Sequence, residues 1–481
     1  MRRRLALAVV VVLPLVAMLL RPLGLIGPSP QAVVPSFAAL GEPTLPFVPK
    51  ADFIDQSWFC GGVPVGERFG GSITVANPTE APLQGRLTVF TDTPDAAAVE
   101  RPFEVLARGT YEIDLDSLQP SGTYASALVE LMGEGGFVEQ TAISPWGRSI
   151  SGCSNSTSTN WYFADNYTSG TSTEDLVITN PFPDEAILDF TFASDEGDRR
   201  PQNLQGFPVP GNSVVVVNQD NLPKDEAVLS VHVAASQGRV VVSRAQHYVG
   251  ERLGYSLTLG APSLSSQWTF ADGEGGEGVA FERYSIYNPT DDDVVVTSDF
   301  WGLSDNPEFV GYRTVTVPAG RVVYFTTAEF EALPAGRHGM SFSTEGESAI
   351  VVERGITRRI DGGFATSVAF GAPRVFEGYQ RWSMAVGSPV AAEDAIVVLN
   401  LDYLDGTVTV KALGPGGEQV IPGLEAVPLP KSSVIAISIP DLPAALNAPL
   451  IIESTQRIVV ERLVPRGDAS NGRTGSLALP G

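Results

Sequence analysis

Three histidines, His232, His247 and His338, and two cysteines, Cys60 and Cys153, are the whole supply of imidazole bases and thiols in 481 residues. No two of the histidines stand four apart, as a helical zinc pair requires. No nucleophile elbow, Walker loop or Cys-His-Asn arrangement accompanies them. Gly273, Gly275 and Gly278 match a dinucleotide fingerprint by letter, but Glu274 and Glu277 flank them. A strand-like run, Phe281 to Tyr287, then follows where a helix is required. Asp291, Asp292 and Asp293 come just after Asn288-Pro289 and lack the alternating ligands and glycine of an EF-hand, so they read as a solvated turn. With 55 acidic residues, a carboxylate pair suited to glycoside hydrolysis arises easily by chance, and nothing singles one out. The expectation is therefore no catalytic residue, no cofactor and no metal.

The elements that would position any such group begin at the N-terminus. Arg2, Arg3 and Arg4 precede an uncharged apolar run from Leu5 to Leu20, and no small-x-small cleavage site follows promptly. Residues 1–26 are read as a signal anchor, a transmembrane helix in the cytoplasmic membrane, with Arg21 snorkelling to the interface. The basic flank stays inside, so the C-terminal region lies outside the cell. A cleaved signal peptide and a secreted product form the alternative. Residues 27–51 carry Pro28, Pro30, Pro35, Pro43, Pro46 and Pro49 and read as a spacer that spans about 70 Å if fully extended. In an oxidising compartment Cys60 and Cys153 are expected to form a disulfide.

A formal charge of -24 and a pI near 4.5 exclude nucleic acid as a partner, because a polyanion needs clustered Lys and Arg. Apolar residues at 43% suffice for packed cores. An aromatic phrase recurs four times along the exported region, led by Trp58, Trp161, Trp268 and Trp382. An Asn follows each after about twenty residues, as Asn77, Asn180, Asn288 and Asn400. Pro succeeds the first three, and Leu401 succeeds the last. A later Val-rich strand ends in Glu139-Gln140, Ser243-Arg244, Glu353-Arg354 or Glu461-Arg462.

About seven short runs with strand patterning fill each repeat, separated by Pro and Gly clusters. This predicts an all-β chain of four tandem immunoglobulin-like or fibronectin-like β-sandwich repeats at 52–155, 156–262, 263–375 and 376–481. The alternative is a β-propeller-like closure. The Trp residues are expected to be core anchors and each Asn to end a strand. Arg244, Arg354 and Arg462 are expected to bond loop carbonyls as scaffold residues. Cys60 aligns with Phe163 and Phe270, while Cys153 aligns with Ala261 and Ala372, so first and last strands are expected to neighbour in every repeat.

The phrases Trp161-Tyr162-Phe163-Ala164-Asp165, Asn180-Pro181, Val351-Val352-Glu353-Arg354 and Gly371-Ala372-Pro373, with the two cysteines, resemble an actinobacterial family of secreted or membrane-anchored proteins of unknown function. The resemblance spans about residues 52 to 481 and implies location and repeats, with no activity to transfer. The expected function is a non-enzymatic envelope scaffold or adhesion protein whose partner is an unknown envelope protein or glycan. A glycan-binding or glycan-processing protein is the alternative.

Overall fold

The computed structural model describes residues 43–481 apart from 50–54, 119, 219, 304–310, 331–332, 347, 361–362 and 467–471. The anchor expected over 1–26, and most of the spacer, lie outside the described residues. Among the described residues no helix is long and apolar enough to cross a membrane. All of them belong to one compact unit, Pro35–Gly481.

Short runs rich in Val, Ile and Thr, cut by Gly, Pro and Asn, favour strands joined by turns. The first eight are β1 (Asp55–Pro64), β2 (Gly70–Asn77), β3 (Leu83–Thr91), β4 (Val99–Val105), β5 (Gly109–Asp114), β6 (Tyr124–Met132), β7 (Phe137–Ser144) and β8 (Gly147–Gly152). They form two antiparallel sheets, ordered β1-β6-β3-β4 and β5-β2-β7-β8. The same two orders recur in residues 160–259, 267–370 and 381–477, with short added strands at some edges. We call the four strand sets modules one to four. Among the described residues no sheet closes into a barrel.

The modules meet around an axis. Strand β8 packs on its counterpart Gly254–Leu259, that strand on Gly363–Phe370, that one on Arg473–Leu477, and the last returns to β8. Closure is thus of module four upon module one, as in a propeller, but with two sheets per module. Between neighbours, the first sheet of one module lies against the second sheet of the next. Strand β1 packs on Thr173–Asn180 and Val241–Tyr248. Asn160–Asn166 packs on Val279–Asn288 and Val351–Ile360, and Gln267–Gly275 packs on Ala392–Asn400 and Ile458–Pro465. Strands at these junctions are therefore covered on both faces. Strand β2 is buried at every position, and apolar runs such as Ile396-Val397-Val398-Leu399 are continuous rather than alternating. Each fully buried Val, Ile or Leu contributes about 1.5–3 kcal/mol, so this double coverage is where the ring gains its stability.

Within a module, Trp58, Trp161, Trp268 and Trp382 are buried. Three indoles tie the first sheet to the entrance of the late strand in the second. Trp161 donates to the Val240 carbonyl at 2.9 Å, Trp268 to Ile350 at 2.9 Å and Trp382 to Ile458 at 3.0 Å. Trp58 donates instead to Oε1 of Gln56 at 3.2 Å. After its last strand each module returns to its first strand, through Phe59 with Ser154, Tyr162 with Ala261, Thr269 with Ala372 and Ser383 with Leu479. In module one this return is covalent, as the Cys60–Cys153 disulfide.

The end of the expected spacer differs from a free extended tether. Leu45 is buried, the Val48 amide donates to the Pro480 carbonyl at 2.7 Å, and the Phe47 amide donates to Asn155 Oδ1 at 2.8 Å. Residues 43–49 dock because Leu45, Phe47 and Val48 bring apolar side chains that the prolines alone lack.

Candidate functional site

The late strands β7, Val241–Tyr248, Val351–Ile360 and Ile458–Pro465 carry the strongest charges of the interior. Consecutive residues of a strand point to opposite faces, so in Glu353-Arg354 one side chain reaches back to module two and the other forward to module four. Arg244 Nη2 donates to Glu353 Oε1 at 2.8 Å, and Arg354 Nη2 donates to Glu461 Oε2 at 2.8 Å. Arg462 Nη1 donates to Glu139 Oε2 at 3.0 Å, joining the last module to the first across 323 residues of chain. All six side chains are buried. The partners of these arginines are thus carboxylates of the next module, rather than loop carbonyls alone. Arg462 adds one carbonyl, that of Val386 at 3.0 Å.

Each carboxylate also accepts main-chain amides from the first strand across the junction or from just beyond it. Glu353 Oε2 takes Ala164 and Asp165 at 2.6 and 2.7 Å, and Glu461 Oε1 takes Ala271 and Asp272 at 2.7 and 3.1 Å. Glu139 Oε2 takes Val386 at 2.8 Å. A buried carboxylate needs this saturation, since an isolated charge in the interior is unsupportable. Arg244 and Arg354 further stand over the rings of Phe163 and Phe270 in their own modules, at 5.2 and 5.7 Å.

Two aspartates that close the aromatic phrase gather a second layer of arginines. Asp165 accepts from Arg283 and from Ser285 Oγ at 2.8 Å, with Arg252 at 3.3 Å. Burial alone would raise its carboxyl, but Arg252, Arg283 and Ser285 outweigh burial and hold it at about 2. Asp272 meets Arg358 at 2.8 Å, Arg337 at 2.5 Å and Arg354 at 3.5 Å, and against the effect of burial its carboxyl is likewise lowered. Nearby, His338 Nε2 lies 3.2 Å from Glu282 Oε2, whose Oε1 accepts from the Tyr284 hydroxyl at 2.8 Å. A histidine beside a carboxylate is the arrangement of a general base, but His338 and Glu282 are enclosed, so no substrate reaches them. Among the described residues no group of three His, Cys, Asp or Glu is disposed to hold a metal ion.

The four repeated asparagines are buried and make one device. Nδ2 of Asn77, Asn180, Asn288 and Asn400 donates to the carbonyl four residues on, at 2.8, 2.8, 2.8 and 3.0 Å. It also donates to a carbonyl near the end of the fourth strand, such as Val317 at 3.0 Å. Oδ1 accepts the amide two residues on, an Asx-turn that works equally with Leu401 in place of proline.

Both ends of the axis are occupied by chain. At one end Arg466 is buried, reaching the Thr366 carbonyl in module three, and burial lowers its guanidinium to about 10 with Tyr248 opposing. A Cβ on Gly254, which has a φ of +128°, would collide with that guanidinium. Between the last strands lies a small cavity of about 70 Å³, stoppered by Leu45 and Pro46. A larger one of about 560 Å³ opens where the inter-module links meet residues 43–49. This second cavity was not legible from the repeats, because its walls are the least repetitive parts of the chain.

No curated protein matches the sequence. Among solved structures, Thermotoga maritima 1070 is 11% identical over 23% of this chain and 97% of its own, with a TM-score of 0.21. The tetra-tandem repeat in the extending region of a large adhesion protein is 12% identical over 84% of this chain and 93% of its own, with a TM-score of 0.12. Residues 146–373, which carry the Arg244–Glu353 junction and both aspartate clusters, match the model of a family of unknown function, DUF5719.

Proposed function

We propose that this chain is a non-enzymatic scaffold or binding protein of the cell envelope, anchored in the cytoplasmic membrane by its N-terminal segment and displaying its modules outside. We read each module as an immunoglobulin-like or fibronectin-like sandwich. The Trp-led, Asn-Pro, Val-Val-Glu-Arg and Gly-Ala-Pro phrases support placing it with an actinobacterial family of secreted or membrane-anchored repeat proteins. One observation carries the non-enzymatic reading: Arg244 with Glu353, Arg283 with Asp165, Arg354 with Glu461 and Arg462 with Glu139 are paired across the junctions and shut off from solvent. The disulfide supports an oxidising compartment.

The test is fractionation of cells carrying the tagged full chain, with protease added to intact cells after the outer envelope is permeabilised. The reading expects membrane-bound protein whose modules are accessible to protease. Protein confined to the cytosol with two free thiols would overturn it.

A further inference from the structure

We propose that the larger axial cavity is a binding site for a short, uncharged saccharide. The inference rests on the binding-protein reading and deepens it.

The cavity, about 560 Å³, falls within the range of small-molecule sites. Its walls combine the rings of Phe47, Phe376 and Tyr379 with the polar side chains of Gln56, Asn155 and Ser156. Those three residues are 1%, 8% and 3% exposed, and each has a polar atom without a partner: Gln56 Nε2, Asn155 Nδ2 and Ser156 Oγ. Such groups are rare in folded proteins and call for a partner.

Chemistry decides which way the two carboxamides face. The Trp58 indole N–H can only donate, so Gln56 presents Oε1 to it, at 3.2 Å. The Phe47 amide can only donate, so Asn155 presents Oδ1 to it, at 2.8 Å. Each carboxamide therefore has its NH2 group left over, and neither can be turned round without placing donor against donor. The unpaired groups of these two lining residues are thus donors, and the Ser156 hydroxyl can act either way.

A ligand must then be rich in acceptors. A peptide brings one N–H donor for every carbonyl acceptor, whereas ring and glycosidic oxygens only accept. A saccharide offers ring, glycosidic and hydroxyl oxygens to the carboxamides and its apolar C–H faces to Phe376 and Tyr379, whose rings meet edge to face at 5.9 Å. None of the described lining residues is charged, and the chain carries -24, which repels an anionic sugar. Val375, 66% exposed, also lines the cavity and marks its opening to solvent.

The experiment is calorimetric titration of the purified full chain, kept in a detergent without a sugar headgroup. The probes are a neutral disaccharide, its N-acetylated form, a uronic-acid disaccharide and an uncharged tetrapeptide. At least one neutral disaccharide is expected to bind with a Kd of about 1 mM or tighter, and the uronate at least about tenfold more weakly. Asn155→Asp keeps the oxygen that Phe47 uses and removes the free donors, so it should weaken binding by about tenfold or more. Ser156→Ala removes only a hydroxyl, should weaken binding by a smaller factor, and carries the test if the aspartate variant misfolds. Binding of the peptide alone, binding of no saccharide, or undiminished binding by both variants would overturn the site. With the chain still exported and membrane-held, any of these would leave the scaffold reading standing.

Discussion

The junction between modules one and two differs from the other three. Where those bury an arginine against a glutamate, this one sets Gln140 and Ser243 at the corresponding positions. Gln140 Nε2 donates to the Gly61 carbonyl at 3.2 Å and to Ser151 Oγ at 3.1 Å. The aspartate of the aromatic phrase is absent as well, being Gly62 here, although module four also lacks it, with Val386 in its place. A Cβ at Gly61 would come within 2.6 Å of Ser243 Oγ, so the strands here approach more closely than side chains would permit. Both charges have changed together, and the ring still closes at this point. The buried ion pairs are therefore not what brings modules into contact; apolar coverage does that at all four junctions. Their role is to specify which faces meet, since a shifted register would strand a charge. The neutral junction also adjoins the one module braced by a disulfide.

The largest effect that separates the two kinds of junction is expected from removing that brace. Cys60→Ser with Cys153→Ser opens a closure of 93 residues and should cost about 4–5 kcal/mol in the chain-entropy account, read from denaturant unfolding. An unchanged midpoint would show that the neutral junction needs no covalent support. Next, Arg354→Met leaves Glu461 buried without its cation and should cost about 3–5 kcal/mol. Arg354→Gln combined with Glu461→Ser copies the neutral junction and should recover most of that loss. If the double variant is as unstable as the sum of its singles, the comparison fails.

Smaller effects sharpen it further. Asn288→Ala strands the Asp292 and Val317 carbonyls and should cost about 1–3 kcal/mol. Asn400→Ala should cost the same despite Leu401, because the turn depends on the asparagine and not on the following proline. A pH-dependent change concerns Glu174, buried near Arg244, whose carboxyl burial pushes up to about 7. An acid raised above its unfolded value disfavours the fold once pH exceeds that value, about 4.5, and the penalty grows until pH passes the folded value. Glu174→Gln should therefore stabilise at pH 8, by at most about 3 kcal/mol, and change little at pH 4, where both states are mostly protonated.

Much of the all-β fold was legible because strand runs and turn residues are local signals. The disulfide was legible too, since two cysteines leave one pairing, and the aligned Ala261 and Ala372 place it between first and last strands. Ring closure stood only as the alternative, a β-propeller-like closure, with no residue pair to mark it. The pairing of Arg462 with Glu139 spans 323 residues, and no local pattern records it. A clue did exist in Val351-Val352 and Ile396-Val397-Val398-Leu399, whose unbroken apolar runs imply strands covered on both faces, unlike a free sandwich. The arginine partners were misread for the same reason: a carbonyl is always near, whereas Glu353 and Glu461 become partners only once modules stack. The docking of residues 43–49 was hidden by prolines that read as a tether. The cavity followed from neither repeat nor motif, because Gln56, Asn155 and Phe376 converge only in three dimensions.

The account rests on module four closing upon module one, and a double-mutant cycle on Glu139 and Arg462 tests this directly. Glu139→Gln, Arg462→Met and the pair together would be unfolded in denaturant. Residues in direct contact should show a coupling of more than about 1 kcal/mol, the double variant being far less damaging than the sum. Strict additivity within about 0.3 kcal/mol would mean that the two ends of the chain do not meet.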